Sequence, residues 1–149
     1  MGLTVMNGKL GFFLGFHNST EKDYLRIRMS VSSKPNQVKE HWEALISLLT
    51  DRFSDGEPLD VEGVLYLIGL QELGQLDKRF KKDDNVNLIH IGICRVLEPY
   101  GYYRFEYYDP DGWPHFELLG ALPNLKPGEQ GILMKSAIVD YFLERGLIQ

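Results

Sequence analysis

Few residues in this chain have the types and spacing that metal binding or acid–base catalysis requires. His90 and Cys94 lie one helical turn apart, so their side chains are near enough to share a metal ion. Two ligands are too few for a stable site, and a buried histidine bonded to a backbone carbonyl is the favoured interpretation. Glu72 lies in an otherwise apolar segment and would form an acid–base pair if it faced His90. We predict no catalytic residue, no metal site and no cofactor from these residues.

A second candidate group combines charged and aromatic side chains across a predicted hairpin. If residues 109–112 form its loop, Glu106 lies opposite His115, where a carboxylate favours the charged imidazolium. Tyr and Trp are common in protein interfaces, and the group lacks a nucleophile and a second acid. We therefore predict a contact surface rather than an active site. Its binding residues are Arg104, Glu106, Tyr108, Trp113 and His115.

A third candidate is a short basic loop around one aromatic residue. It consists of Lys78, Arg79, Phe80, Lys81 and Lys82. Basic side chains that hold phosphates beside a ring that stacks on a base are typical of single-strand nucleic-acid binding. The acidic residues at 77, 83 and 84 nearly cancel this charge. The favoured interpretation is therefore a solvated loop in which the aromatic ring fills the edge of the core.

Composition limits the classes of protein to which the chain belongs. Its 149 residues, 44% hydrophobic and 25% charged, are typical of one ordinary globular domain. The single cysteine excludes an internal disulfide and indicates a reducing compartment, so we expect a cytoplasmic protein. No apolar run approaches the roughly 20 residues of a membrane span. Residues 37–149 have a net charge of −8 against +3 for residues 1–36, which argues against broad capture of nucleic acid.

The elements that position these candidates change in type along the chain. Asn7-Gly8 predicts a hairpin within residues 3–16, and clean alternation predicts a strand over 24–31. We therefore expect a β-rich N-terminal extension at residues 1–35, followed by a single mainly helical domain at 36–149. The alternation gives way to a helical period from about residue 36.

Four helices are predicted in the second part. The first begins near residue 36, and the second runs from an Asp60 cap to a stop at Gly74. The third, over 83–98, is apolar almost all round and should be the central core helix. The last begins near Pro127 and ends at Gly146. Gly69 in mid-helix predicts close approach of a neighbouring helix, because glycine otherwise weakens a helix.

A hairpin over 102–119 precedes the last helix. A four-residue loop predicts six cross-strand pairs: Tyr103–Leu118, Arg104–Glu117, Phe105–Phe116, Glu106–His115, Tyr107–Pro114 and Tyr108–Trp113. The predicted fold class is α+β, with about four helices around the buried helix 83–98, this hairpin, and strands at the N-terminus. Three helices followed by a hairpin is also the element order of a winged helix.

Several runs in the second part resemble one family. They are LDVEGVLYLIGLQELG (59–74), LEPYGYY (97–103), DPDGWPHFEL (109–118) and KPGEQ (126–130). From about Val38 to Phe142 the chain resembles a family of small uncharacterised bacterial proteins of unknown function. The resemblance implies no catalytic residue.

Three functions are compatible with these features. The leading hypothesis is a non-enzymatic interaction or structural domain whose aromatic hairpin holds a protein partner or a second copy of the chain. The second is a winged-helix-like nucleic-acid binder, in which the third helix would offer Asn87, His90 and Arg95 to the groove. The third is a small-molecule binder or enzyme with a pocket near Glu72 and His90.

Overall fold

A computed structural model describes residues 35–74, 79–121 and 124–149. Its elements, in chain order, are α1 (Pro35–Phe53), α2 (Val61–Leu73), α3 (Lys82–Leu97), β1 (Tyr103–Tyr108), β2 (Pro114–Leu118) and α4 (Pro127–Glu144). The fold is α+β, with four helices and an antiparallel hairpin before the last helix, as predicted. The predicted N-terminal strands lie outside the described residues. Of the helices in these ranges, none is long and apolar enough to cross a membrane.

The ends of the middle helices follow from their capping residues. The Asp60 carboxylate accepts a hydrogen bond from the Gly63 N–H at 2.8 Å, and Gly74 ends α2 in the left-handed conformation. Both ends were predicted. Helix α3 begins one residue earlier than predicted, because Asp84 occupies its third position and accepts a hydrogen bond from the Lys81 N–H at 3.0 Å.

Two glycines allow the backbones of α2 and α3 to touch. A Cβ on Gly69 would lie 2.1 Å from the carbonyl oxygen of Leu88, and one on Gly92 would lie 2.3 Å from that of Leu65. Neither distance leaves room for a methyl group, so each helix has a glycine where the other's backbone passes. The close approach predicted at Gly69 is therefore present.

The core forms around α3, as predicted from its apolar sequence. Leu88, Ile91 and Leu97 on this helix are fully buried. Side chains from every other described element join them in one cluster, including Leu45, Ile68, Phe116 and Ile138. The hairpin is thus packed on the helices rather than projecting from them.

The hairpin register agrees with prediction at its open end and differs at its tip. Three pairs, Tyr103–Leu118, Arg104–Glu117 and Phe105–Phe116, are as predicted. Nearer the turn, Tyr107 pairs with His115 and Tyr108 with Pro114. The predicted pairs Glu106–His115, Tyr107–Pro114 and Tyr108–Trp113 are therefore wrong.

The length of the hairpin loop explains why the observed register differs from the predicted one near the turn. The Asp109 N–H donates to the Trp113 carbonyl at 3.0 Å, which closes a loop of three residues instead of four. Gly112, with φ of +85°, takes the left-handed position that such a loop requires. The shorter loop shifts the register by one residue, and Glu106 absorbs the shift as a bulge in β1.

Candidate functional site

The tip of the hairpin is organised by one carboxylate. Asp109 Oδ1 accepts hydrogen bonds from the backbone N–H groups of Asp111 at 3.0 Å and Trp113 at 2.9 Å. Its Oδ2 lies 2.9 Å from Nε2 of His115, which is buried. The acid beside the imidazole is therefore Asp109, where the predicted register placed Glu106. The turn and the histidine are held by the same side chain.

The electrostatics of this carboxyl follow from its contacts. Partial burial acts to raise the pKa of Asp109, because it disfavours the charged form. The hydrogen bond from His115 and the two backbone N–H groups act against burial and outweigh it. The pKa of Asp109 is therefore lowered below its usual value. The carboxylate is ionised at neutral pH and pairs with the imidazole.

Two tyrosines at the end of β1 remain exposed. Tyr107 stacks flat on the His115 ring, with 4.6 Å between centroids and 7° between planes, yet is 52% exposed. Tyr108 packs against the ring of Phe105 at 4.9 Å and is 56% exposed. Each tyrosine is thus held by a neighbouring ring and presents its remaining surface to solvent. Tyr107 did not stand out in the sequence, because the predicted register placed it opposite Pro114.

The other predicted surface residues lie in different environments. Trp113 is buried and packs edge-on against Phe80 at 6.2 Å, so its indole is not part of the exposed surface. Arg104 forms an ion pair with the buried carboxylate of Glu117, as the predicted register requires. Glu106 is exposed at the bulge.

The basic loop does not present its aromatic ring for stacking. Phe80 is half-buried and packs on the core next to Trp113. Arg79, Lys81 and Lys82 are exposed around it, and Lys78 lies outside the described residues. This arrangement agrees with the solvated-loop interpretation of the sequence.

A charged cluster that the sequence did not reveal lies between the helices and the hairpin. Arg95 Nε donates to Glu72 Oε2 at 2.7 Å, and the Tyr141 hydroxyl donates to Glu72 Oε1 at 2.9 Å. Arg145 lies over the Tyr141 ring and approaches Glu72 at 3.5 Å. Glu72 and Arg95 are only 12% and 17% exposed. Glu72, which would form an acid–base pair only if it faced His90, is instead held by two arginines and a tyrosine.

The same cluster fixes the hairpin on the helices. Glu98, just after α3, accepts hydrogen bonds from Arg95 at 3.2 Å and from the backbone N–H of Phe105 at 3.1 Å. The Arg95 guanidinium also lies 4.9 Å from the ring centroid of Phe116. One arginine thus contacts two carboxylates and the aromatic face of the sheet.

Cys94 is buried and His90 is half-buried, and neither side chain is ready for chemistry. Burial lowers the pKa of His90 to about 4, so the ring is neutral at pH 7. Its Nε2 has no hydrogen-bond partner among the described residues, and its ring meets Tyr103 edge-on at 6.2 Å. Burial raises the pKa of the Cys94 thiol, which disfavours the reactive thiolate. Among the residues described, no three His, Cys, Asp or Glu side chains group closely enough to hold a metal ion.

Neither a deep pocket nor a recognition helix is formed by the predicted residues. A pocket of about 140 Å³ lies between the end of α3 and α4, where Arg95, Glu98, Tyr141 and Arg145 line it with other side chains. His90 is not among its lining residues. Helix α3 holds Asn87 buried and Arg95 in ion pairs, so neither side chain is directed to a nucleic-acid groove.

Comparisons with protein-family models, with curated proteins and with solved structures give no match for this chain. Its function is therefore inferred from its own residues.

Proposed function

We propose that the chain is a non-enzymatic protein-interaction domain that binds its partner through the end of β1. The contact surface consists of Glu106, Tyr107 and Tyr108, and we call it the tip surface. The observation that carries the proposal is the exposure of both tyrosines, 52% and 56%, on a strand packed against the core. Tyrosine supplies a large contact area at low cost in side-chain entropy, and interfaces are enriched in it.

Preorganisation of the tip surface supports this proposal. Tyr107 rests on His115, which Asp109 holds, and Tyr108 rests on Phe105. The Glu98 carboxylate further ties the strand to the end of α3 through the Phe105 N–H. Rings that are already held in place lose less conformational entropy on binding, so more of the contact energy contributes to affinity.

The two alternative functions have weaker support. An enzyme needs reactive groups that converge on a substrate, whereas Glu72 is held by Arg95 and Tyr141. A winged-helix binder needs free basic or amide side chains on its third helix, and Arg95 is paired with two carboxylates. An exposed aromatic contact surface requires neither arrangement.

Site-specific photo-crosslinking in cells of the source organism tests the proposal. A benzoyl-phenylalanine replaces Tyr108 in one variant and Phe53 in the control, since Phe53 is similarly exposed, at 61%, but lies on α1. We expect a defined adduct from position 108 only. Mass spectrometry identifies the captured protein, including a second copy of this chain.

The captured protein is then purified and titrated against the native chain and a Tyr107→Ser, Tyr108→Ser double variant. We expect the double variant to bind at least about tenfold more weakly, as loss of two interface tyrosines predicts. Equal adducts from both crosslinking positions, or unchanged affinity in the double variant, would overturn the proposal.

A further inference from the structure

We infer that the tip surface binds an arginine side chain on a basic segment of the partner, with the guanidinium over the Tyr107 ring and beside the Glu106 carboxylate. This inference rests on the proposed function and names the chemistry of the partner at that same surface. It is carried by an exposed aromatic ring and an exposed carboxylate on consecutive residues at the bulge of β1, to which no described residue supplies a cation.

At two other places in the fold, an arginine of the chain itself contacts both an aromatic ring and a carboxylate. Arg145 lies 3.5 Å from the Tyr141 ring centroid and approaches the Glu72 carboxylate. Arg95 lies 4.9 Å from the Phe116 ring centroid and pairs with the same carboxylate. In both places a guanidinium satisfies a ring and an acid together, which is the geometry that arginine suits best.

At the tip surface the ring and the acid are present, but no residue in the described ranges supplies the cation. One face of the Tyr107 ring covers His115, and the residue as a whole is 52% exposed to solvent. Glu106, the preceding residue, is exposed, and its side chain has no ion-pair or hydrogen-bond partner in the described part of the chain. The nearby Arg104 is already held by Glu117.

Charge around the tip surface also favours a cationic partner. Asp109 and Asp111 follow the two tyrosines, and Asp111 is exposed. Residues 37–149 carry 11 basic and 19 acidic side chains, so the body behind the hairpin is acidic. Such a field attracts a basic segment and disfavours an acidic one, because complementary charge speeds encounter and opposes wrong partners.

Arginine fits the tip surface better than lysine does. Its planar guanidinium stacks on an aromatic ring while its N–H groups bond to a carboxylate at the ring's edge. An ammonium group is compact and strongly hydrated, and it gains less from the flat ring. A partner that contacts Tyr107 and Glu106 together should therefore do so with an arginine side chain.

Fluorescence anisotropy with short labelled peptides tests this inference on the full chain. The probes alternate glycine with arginine, lysine, citrulline or glutamate at equal length. Citrulline keeps the shape of arginine and removes its charge. We expect the arginine peptide to bind most tightly, citrulline to bind at least about tenfold more weakly, and affinity to fall with added salt.

Paired variants separate the tip surface from general attraction to an acidic protein. Tyr107→Leu and Glu106→Gln should each weaken binding of the arginine peptide about threefold or more. The controls Phe53→Leu and Glu40→Gln change an exposed ring and an exposed acid on α1, and they should leave affinity unchanged. Circular dichroism checks that each variant is folded.

The inference is overturned if citrulline binds as tightly as arginine, or if the tip variants bind like their controls. Its failure is distinguishable from failure of the proposed function. A crosslinked partner that depends on Tyr107 and Tyr108 but contacts them through a neutral or acidic segment would refute the arginine inference alone. The absence of any adduct at position 108 would refute the interaction domain itself.

Discussion

Asp109 holds both the loop backbone and His115 at the hairpin tip. Its backbone carbonyl accepts the Gly112 N–H at 2.9 Å, and its carboxylate accepts two more backbone N–H groups. The remaining carboxylate oxygen holds His115, on which the exposed Tyr107 rests. The conformation of the loop and the position of the tyrosine therefore depend on a single side chain.

The contribution of this carboxylate to stability should depend on pH with a defined sign. Its pKa in the folded chain is lowered, so its ionised form stabilises the fold above about pH 4, the range of an unfolded aspartate. That contribution is lost as pH falls through the lower folded pKa. We expect Asp109→Asn to reduce the free energy of unfolding by about 1 kcal/mol at pH 5, the scale of one hydrogen bond. The difference should shrink towards pH 2 in urea-unfolding measurements.

Asp111→Asn is the matched control for this prediction. Asp111 is exposed in the same loop, and its carboxylate has no ion-pair partner in the described ranges. Its replacement should change the free energy of unfolding little at any pH. A loss for Asp109→Asn that persisted undiminished at pH 2 would contradict the assigned role of the Asp109 carboxylate.

At the scale of elements, the α2–α3 pair depends on its glycines. Gly69→Ala would place a methyl group 2.1 Å from the Leu88 carbonyl oxygen, and a backbone atom cannot move aside as a flexible side chain can. We expect this variant to lose at least about 2 kcal/mol of unfolding free energy, because the helices must separate. Chemical denaturation of purified protein measures the loss.

Gly131→Ala in α4 provides the control with the opposite sign. A Cβ at Gly131 meets no atom within 4 Å, and the residue lies inside the helix. Alanine should therefore stabilise the fold by about 0.5–1 kcal/mol through helix propensity alone. If both glycine variants shifted stability in the same direction, close packing at Gly69 would not be the reason for that glycine.

Local signals predicted these elements better than they predicted the hairpin tip. Asp60 and Gly74 mark the ends of α2 through contacts within one turn, so the sequence alone is sufficient there. Alternation also placed the Phe105–Phe116 pair correctly. The DPDG segment, however, fits loops of three or four residues, and only packing selects between them. The three-residue loop produces the bulge at Glu106. It also explains why Asp109, and not the predicted Glu106, lies beside His115.

At the scale of the molecule, the Glu72–Arg95 cluster joins elements that are distant in sequence. Glu72 on α2 contacts Arg95 on α3, 23 residues later, and Tyr141 on α4, 69 residues later. No local period encodes such contacts, so Arg95 and Tyr141 could not be identified from the sequence as the partners of Glu72. The aromatic composition of the hairpin indicated its exposed surface from the sequence. No local pattern indicated the Glu72–Arg95 cluster that positions the hairpin.

Removing the central arginine should therefore destabilise the whole fold. Arg95→Met keeps an extended side chain but leaves Glu72 and Glu98 without their main cation, and breaking a buried ion pair costs about 3 kcal/mol or more. Lys39→Met removes one partner of an exposed pair at 3.9 Å and should cost less than about 0.5 kcal/mol. Urea unfolding compares the two variants.

A double variant that adds Glu72→Gln to Arg95→Met should lose less unfolding free energy than the sum of the two single losses, because both substitutions remove the same contact. Additive losses would show that Arg95 stabilises the fold without its pairing to Glu72.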